Sequence, residues 1–344
     1  MIKYLILILS ITALNLQAKT IEKIYFGSCG KSFKPMPIFN AIAADDPDVF
    51  IFLGDNIYGD TEDMSVMEKK YQTLGKHKGF LTLKATSELI AIWDDHDYGH
   101  NDAGSEYPQK EASRKLMLDF WQEPKDSLRY KRDGIYTSYF YGEKDKTVQV
   151  ILPDLRWNRD KLHGVGEKAY YADRVPKKMG PYSPSPDKKA SMLGETQWKW
   201  LENELKKPAT IKIIGSSLQL LPEFTGWESW ANFPEDRKRL LSFIKENKIS
   251  GVIMISGDTH WGEISRVDDE GMYPLWEVTS SGLSEKWKNV SPNKHRVGNF
   301  TNNVNYGFIE IDWDSKDPLI VFGLKQEDGA VINQHQMTLS SLKL

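Results

Sequence analysis

Six short apolar runs, each followed at once by polar residues, limit what this chain can fold into more than any other feature of its sequence. The runs with their polar ends occupy residues 21–32, 48–60, 87–102, 147–159, 211–219 and 249–266. Short apolar runs bounded by turn-forming residues predict buried β-strands. Between them, apolar residues three or four positions apart predict helices, as at Trp198, Leu201 and Leu205. Strands that alternate with helices indicate an α/β architecture.

Two later parts of the chain depart from this alternation. Beyond Trp276, the segments YGFIEIDW and PLIVFGL predict strands with few helices between them, and we expect these strands to complete a second sheet. Residues 163–194 carry prolines, glycines, serines and lysines without periodicity. Such a segment is either a mobile surface loop, which is the interpretation we favour, or a lid over a substrate.

The overall composition is that of an ordinary soluble protein. The chain has 344 residues, of which 40% are hydrophobic and 27% charged, and its net charge is −3. This length accommodates one large domain or two small ones with ample core. A slightly acidic chain offers no broad basic surface, which argues against nucleic acid as a partner.

The first residues predict export. Residues 1–18 contain one early cation, Lys3, then an apolar stretch that ends at the small residue Ala18. This pattern is typical of a secretory signal peptide, with an uncleaved N-terminal anchor as the alternative. The stretch is too short and too interrupted for a confident membrane span. We therefore expect a mature domain of residues 19–344 in the periplasm or outside the cell. Its single cysteine, Cys29, has no partner for an internal disulfide and is either buried and inert or a metal-bound thiolate.

Metal-binding residue types collect where the predicted strands end. The segment WDDHDYGHND, residues 93–102, crowds four aspartates together, and like charges this close repel unless a cation holds them. Ligands of α/β sheets bind beyond the carboxyl ends of the strands. The candidate ligands at these ends are Cys29, Asp55, Tyr58, Asp94, Asp95, His96, Asn101, Asp258 and His260.

The chemistry of these side chains favours two different cations. Thiolate, phenolate and imidazole suit a transition metal such as iron, whereas carboxylate and amide oxygens suit calcium, magnesium or manganese. Two unlike ligand sets suggest two ions that share a bridging carboxylate. Paired ions, about 3.5–4 Å apart, are a common device for in-line displacement at phosphorus.

The motifs FGSC, LGDNIYGD, WDDHDYGHN, LPDLRWNR and GDTHWGE, in this order, resemble those of the alkaline phosphatase D (PhoD-like) family of metallophosphoesterases. The resemblance extends from about Ile24 to about Val321. It implies a metallophosphatase α/β/β/α sandwich, in which two stacked mixed sheets are flanked by helices. Asp97 is a departure, because the family more often has glutamate at this position.

The resemblance also implies roles for individual residues. A ferric ion would be bound by Cys29, Tyr58 and His260, and Asp55 would bridge it to a second ion. The resemblance implies calcium as the second ion; Mg²⁺, Mn²⁺ and Zn²⁺ are other candidates. The second ion would be held by Asn101, by Asp258 and by Asp94, Asp95 or both.

Two further residues are candidates for contact with the phosphoryl group. His96 would bind the phosphoester and protonate the leaving oxygen. Arg156 would clamp a phosphate oxygen, or else it pairs with Asp154. The neighbouring Asp60 is favoured as a turn residue. Asp102 is expected to be a solvated or supporting group.

Together these features predict an exported enzyme that hydrolyses small phosphate mono- or diesters by in-line attack of a metal-bound hydroxide. The alternatives are a non-catalytic, calcium-stabilised binding module and a carbohydrate hydrolase that uses a carboxylate pair without metal. Trp227 and Trp230 are favoured as packing residues over a substrate platform. The sequence leaves the oligomeric state open.

Overall fold

The computed structural model describes residues 19–344, so the predicted signal peptide, 1–18, lies outside the described residues. The strands, in chain order, are β1 Lys23–Gly27, β2 Val49–Leu53, β3 Glu88–Ile92, β4 Thr137–Tyr141, β5 Val148–Leu152, β6 His163–Gly164, β7 Tyr182–Ser183, β8 Ile211–Gly215, β9 Val252–Ser256, β10 Gly262–Val267, β11 Leu275–Ser280, β12 Asn305–Asp312, β13 Leu319–Gln326 and β14 Val331–Thr338. The α-helices are α1 Ile38–Ala44, α2 Met64–Gly75, α3 Lys78–Thr86, α4 Asp95–Tyr98, α5 Lys110–Phe120, α6 Glu167–Ala169, α7 Gly194–Lys206 and α8 Pro234–Glu246. Across residues 19–344, none of the helices has the length and apolar character that crossing a membrane requires.

Two six-stranded mixed sheets form the centre of the fold. The first has the order β14-β13-β12-β1-β2-β3, with β1, β2 and β3 parallel. The second has the order β10-β11-β9-β8-β5-β4, with β5, β8, β9 and β11 parallel. The completely buried strands β2, β5, β8 and β9 are mostly apolar along their whole length because both of their faces are covered.

The sheets stack face to face, and helices cover their outer surfaces. Between the sheets, Trp276 of β11 packs against Phe322 of β13 with ring centroids 5.3 Å apart. On the outside of the first sheet, Phe39 of α1 and Phe80 of α3 both pack on Phe52 of β2. Outside the second sheet, α7 is held to β5 by side-chain hydrogen bonds. The predicted α/β/β/α sandwich is confirmed.

The C-terminal strands contradict one expectation. Strands β12, β13 and β14 do not complete the second sheet; they extend the first one, because β12 pairs antiparallel with β1. Only β10 and β11, which precede them, join the second sheet. The choice between two stacked apolar sheets depends on pairing between distant segments, which a local pattern does not encode.

Residues 163–194 are more ordered than the favoured interpretation, a mobile surface loop, implies. They contain the β6–β7 hairpin, α6 and further helical turns. The backbone N–H of Gly180 donates to Thr225 O at 3.1 Å, and that of Tyr182 donates to Gly226 O at 2.8 Å. These bonds fasten the segment to the loop that follows β8.

The close approach of Gly180 and Gly226 gives a stability prediction. Gly226 has a φ of +81°, and a Cβ added there would lie 2.7 Å from Gly180 N. Gly166 has the similar φ of +83°, but a Cβ there would meet nothing within 4 Å. We expect Gly226→Ala to lower the free energy of unfolding by about 2–3 kcal/mol and Gly166→Ala by about 1 kcal/mol. Denaturant unfolding measures both, and equal losses would show that the contact between the two glycines is not restrictive.

Candidate metal centre

The ends of the parallel strands place the predicted ligands at one edge of the two sheets. Cys29 follows β1, Asp55 follows β2, Asp94 and Asp95 follow β3, and Asp258 follows β9. Their ligand atoms form overlapping groups in which all atoms lie within 4.8 Å of one another. The groups are Cys29–Asp55–His260, Asp55–Asp95–His96, Asp94–Asp95–Asp258 and Asp95–Asp102–Glu228.

The first group combines sulfur, oxygen and nitrogen donors. Cys29 Sγ lies 3.3 Å from Asp55 Oδ2, and Tyr58 Oη lies 3.1 Å from His260 Nε2. Cys29 and Tyr58 are both buried. This is the thiolate, phenolate, carboxylate and imidazole set that the sequence predicts for one ion.

The backbone at this centre is unusual. Cys29, Asp55, Asp258 and His260 have φ values of 63°, 51°, 69° and 60°. Residues other than glycine adopt such left-handed conformations rarely and at a cost, and they concentrate at functional sites. The tight turns they form direct all four side chains away from the strand axes and towards each other.

The other three groups all contain Asp95 and are composed mainly of aspartates. Asp95 Oδ2 accepts a hydrogen bond of 2.7 Å from the backbone N–H of Asp102, while Asp94 Oδ1 accepts bonds from Ser217 Oγ at 2.7 Å and from Arg156 Nε at 2.6 Å. The two adjacent carboxylates therefore differ: Asp94 is tied to Arg156, and Asp95 is shared by three of the overlapping groups.

Buried oxygens without partners indicate that the residues fit cations. Among the described residues, Asp55 Oδ1, Asp94 Oδ2 and Asp95 Oδ1 are buried and make no hydrogen bond. Burial, and then the charge of neighbouring carboxylates, raises the pKa of Asp55 and of Asp258 well above the ordinary range. A buried anionic group is costly unless it is paired or coordinates a metal. Cations held among these oxygens would remove both problems.

Asn101 and His96 lie at the opening of the centre. Asn101 is exposed and lines the same cavity as Asp55 and His96, so its role as a ligand stays a prediction. His96 Nδ1 lies 2.6 Å from Asp60 Oδ1, and its ring stacks at 4.3 Å on Tyr58. Burial opposes protonation of His96, but Asp55 and the hydrogen bond to Asp60 outweigh it and raise the pKa to about 11. Asp60 is therefore more than a turn residue, because it orients His96.

Arg156 lies beneath the centre and not at its surface. Its side chain is 0% exposed, and besides Asp94 it donates to Glu228 Oε1 at 2.9 Å and Oε2 at 2.7 Å. The alternative partner, Asp154, bonds to the backbone N–H of Arg156 and not to its guanidinium group. This geometry supports a positioning role for Arg156 in place of the phosphate clamp expected from the sequence.

Sequence reasoning missed Glu228 and undervalued Asp97. Glu228 is buried in a loop with no predicted strand before it, so no local pattern marks it. Asp97 is fully buried and accepts hydrogen bonds from the backbone N–H groups of Asp55, Asn56 and Asp94. It therefore joins the turns after β2 and β3, and its carboxylate serves this purpose although the family more often has glutamate there.

A cavity of about 150 Å³ opens onto the centre. Acidic groups and aromatic rings line it, and among its lining residues there is no lysine or arginine. Trp230 is buried in the core, as expected. Trp227 is half-buried and lines the cavity together with Trp261 and Trp287, so packing as its sole role stays a prediction.

Comparison with known proteins agrees with this geometry. The family model for "PhoD-like phosphatase" matches residues 25–316. The chain belongs to the PhoD-like phosphatase family. Alkaline phosphatase D of Bacillus subtilis (strain 168) is 24% identical over 207 residues, which are 53% of this chain and 33% of that protein. The chain thus matches about a third of the length of this curated relative.

Solved structures share the PhoD-like fold. A structure of PhoD superposes with a TM-score of 0.66 at 14% identity and covers 93% of this chain and 72% of that one. GAP50, titled the anchor in the inner membrane complex of Plasmodium, gives 0.57 at 13% identity, with 93% and 89% of the chains covered. A dimetal phosphatase from Danio rerio gives 0.54 at 13% identity, with 93% and 100% covered. At these identities the likeness establishes the fold.

Proposed function

We propose that the protein is an exported, metal-dependent phosphoesterase that hydrolyses small phosphate mono- or diesters. One observation carries the proposal: in a member of the PhoD-like phosphatase family, two ligand groups that share Asp55 contain buried carboxylate oxygens without partners. Cys29, Tyr58, His260 and Asp55 would hold a ferric ion. Asp55, Asp95, Asp258 and Asn101 would hold a second ion, with calcium as the first candidate.

When bound, two cations neutralise charge on the phosphoryl oxygens and supply a water of lowered pKa as the nucleophile. The chain's own residues do the rest. Asp55 belongs to both groups, so its carboxylate would be shared by the two cation positions. His96, held through Nδ1 by Asp60, has Nε2 left to hydrogen-bond the phosphoryl group and to donate a proton to the departing oxygen. Arg156 keeps Asp94 and Glu228 in place from below.

Removal of metal gives the test. The purified protein is expected to hydrolyse bis-p-nitrophenyl phosphate or p-nitrophenyl phosphate, to lose this activity on chelation, and to regain it when Fe³⁺ and Ca²⁺ are returned. Its melting temperature should fall on chelation, because ligands that bind only the native state stabilise it.

Two outcomes favour the other candidate functions. Metal-dependent stability without turnover of either ester indicates a binding module. If metal analysis shows that the protein is depleted and hydrolysis still persists, the two-cation mechanism is contradicted and a metal-free carboxylate pair is favoured.

A further inference from the structure

Two tryptophans stand at the opening of the cavity. The rings of Trp227 and Trp287 meet at 81° with centroids 5.5 Å apart, and both line the cavity that contains Asp55 and His260. Trp287 is 39% exposed, so its ring is accessible from the opening. This corner of rings is the most apolar part of an otherwise acidic site.

The position of each ring is fixed by the chain. Trp227 Nε1 donates to Ser291 Oγ at 3.1 Å, and Ser291 Oγ donates to Lys178 O at 2.6 Å. The backbone N–H of Trp287 donates to the carbonyl of His260 at 3.0 Å. Three segments that are distant in sequence thus hold the corner directly beside a predicted metal ligand. Such preorganisation is what a binding site needs, because little side-chain entropy is lost when a ligand arrives.

A third tryptophan adds its ring to this apolar part of the site. Trp261 lines the same cavity as Trp227 and Trp287 and is 1% exposed.

The size of the cavity determines where a substrate's organic group must lie. About 150 Å³ has to contain the phosphoryl group together with the cations, which places the organic group at the opening. There it meets the faces of Trp227 and Trp287. A planar ring gains most from such a corner, because aromatic rings stack or meet edge to face with a favourable energy beyond the area they bury.

We propose that Trp227 and Trp287 form a subsite for a planar aromatic group, such as an aryl ring or a nucleobase, on the phosphate ester. This inference rests on the proposed function and names its substrate class. A quaternary ammonium group is the other ligand that aromatic corners bind. The exposed Lys286 and Lys288, which flank Trp287 in the chain, disfavour a cation at this rim.

Binding of non-hydrolysable phosphonates to the metal-loaded protein tests the subsite without any chemical step. Isothermal titration at alkaline pH would compare methyl-, cyclohexyl- and phenylphosphonate, which carry the same charge and differ in the organic group. Phenylphosphonate is expected to bind about threefold to tenfold more tightly than cyclohexylphosphonate, which corresponds to one aromatic pair. Methylphosphonate reports the affinity of the phosphoryl position alone.

Matched substitutions at Trp287 separate a planar ring from apolar area. Trp287→Phe keeps a ring and should retain most of the preference for phenyl over cyclohexyl. Trp287→Leu keeps apolar volume and should abolish it, with methylphosphonate binding unchanged in both variants. Phe140, an exposed aromatic residue on β4, is not among the residues that line the cavity, so Phe140→Leu is the control and should change nothing. Because Trp287 is partly exposed, these variants are expected to fold.

The outcomes distinguish this inference from the proposed function. If methylphosphonate binds and phenylphosphonate shows no advantage, or if Trp287→Leu keeps the advantage, the aromatic subsite is overturned and the phosphoesterase proposal stands. If 2-(trimethylammonio)ethylphosphonate binds more tightly than phenylphosphonate, the site recognises a cation and the inference is wrong. If no phosphonate binds to the metal-loaded protein, both proposals fail.

Discussion

Asp55→Asn is expected to reduce hydrolysis of bis-p-nitrophenyl phosphate by at least about 10²- to 10³-fold. Asp55 is the residue shared by the group with Cys29 and His260 and the group with Asp95 and His96. An amide cannot place negative charge between two cations, so both positions lose affinity together. Metal analysis of the purified variant should therefore show a loss of both ions.

The same substitution has an opposite expected effect on the stability of the metal-free protein. Burial and Asp95 raise the pKa of Asp55, so without cations its ionised form opposes folding. The protonated carboxyl of Asp55 does not oppose folding, so the metal-free protein is most stable, as far as Asp55 is concerned, below the ordinary carboxyl pKa. That stability is lost as the pH rises through the raised pKa of Asp55. At neutral pH the metal-free variant should melt at or above the temperature of the metal-free wild type. Addition of metal should then raise the melting temperature of the wild type only.

Asp46→Asn is the control for the backbone. Asp46 has the same φ of 51° as Asp55, is exposed, and lies outside the four ligand groups. It should retain activity and metal content. If Asp55→Asn binds both metals normally, or if Asp46→Asn loses activity equally, Asp55 does not bridge the two positions.

Arg156→Met is expected to lower the free energy of unfolding by about 3–5 kcal/mol, because it leaves buried carboxylates without their cation. Arg156 bonds to Asp94 and Glu228, and its Nη2 lies 3.8 Å from Asp95 Oδ1. Glu228 also pairs with Arg159 at 3.2 Å, so the loss falls mainly on Asp94. Chemical denaturation measures the loss. Arg129→Met removes another buried ion pair, with Glu123, and should destabilise the protein while the folded fraction keeps its activity.

Arg156→Lys separates the two roles considered for this residue. Lysine keeps the charge but lacks the planar fork with which Arg156 reaches Asp94 through Nε and Glu228 through Nη1. If Arg156 is a positioning residue, Arg156→Lys should bind metal more weakly than the wild type and have a lower kcat. Its KM, measured at saturating metal, should change little. A direct phosphate clamp predicts a raised KM with metal binding unaffected, and that result would contradict the buried geometry.

The sequence predicted the parts of the centre that follow from strand ends. Cys29, Asp55, Asp95 and Asp258 each come directly after a buried run, and the carboxyl ends of parallel strands meet at one edge. The α/β architecture and the collection of these ligand types could therefore be predicted from the residues, whereas the sandwich followed from the resemblance to the family.

The parts that could not be predicted depend on contacts between distant segments. Trp287 and Glu228 lie in loops, and nothing near them in the sequence indicates that these loops reach the cavity. The role of Arg156 was misjudged because its partner Glu228 was unknown. Strands β12 to β14 were assigned to the wrong sheet because their pairing with β1 spans most of the chain.

This long-range pairing has a consequence for when the centre can form during folding. Strand β1, which leads into Cys29, lies between β2 and β12, and Ser28 bridges to Ser281 just beyond it. The turn that carries the thiol meets Asp55 early, but it acquires the last of its neighbours only after residues 281–312 have been synthesised. Contacts of such high sequence separation form slowly. A metal centre at this edge would therefore be complete only when the entire domain has folded, and a partly made chain has no assembled site that could capture the wrong ion.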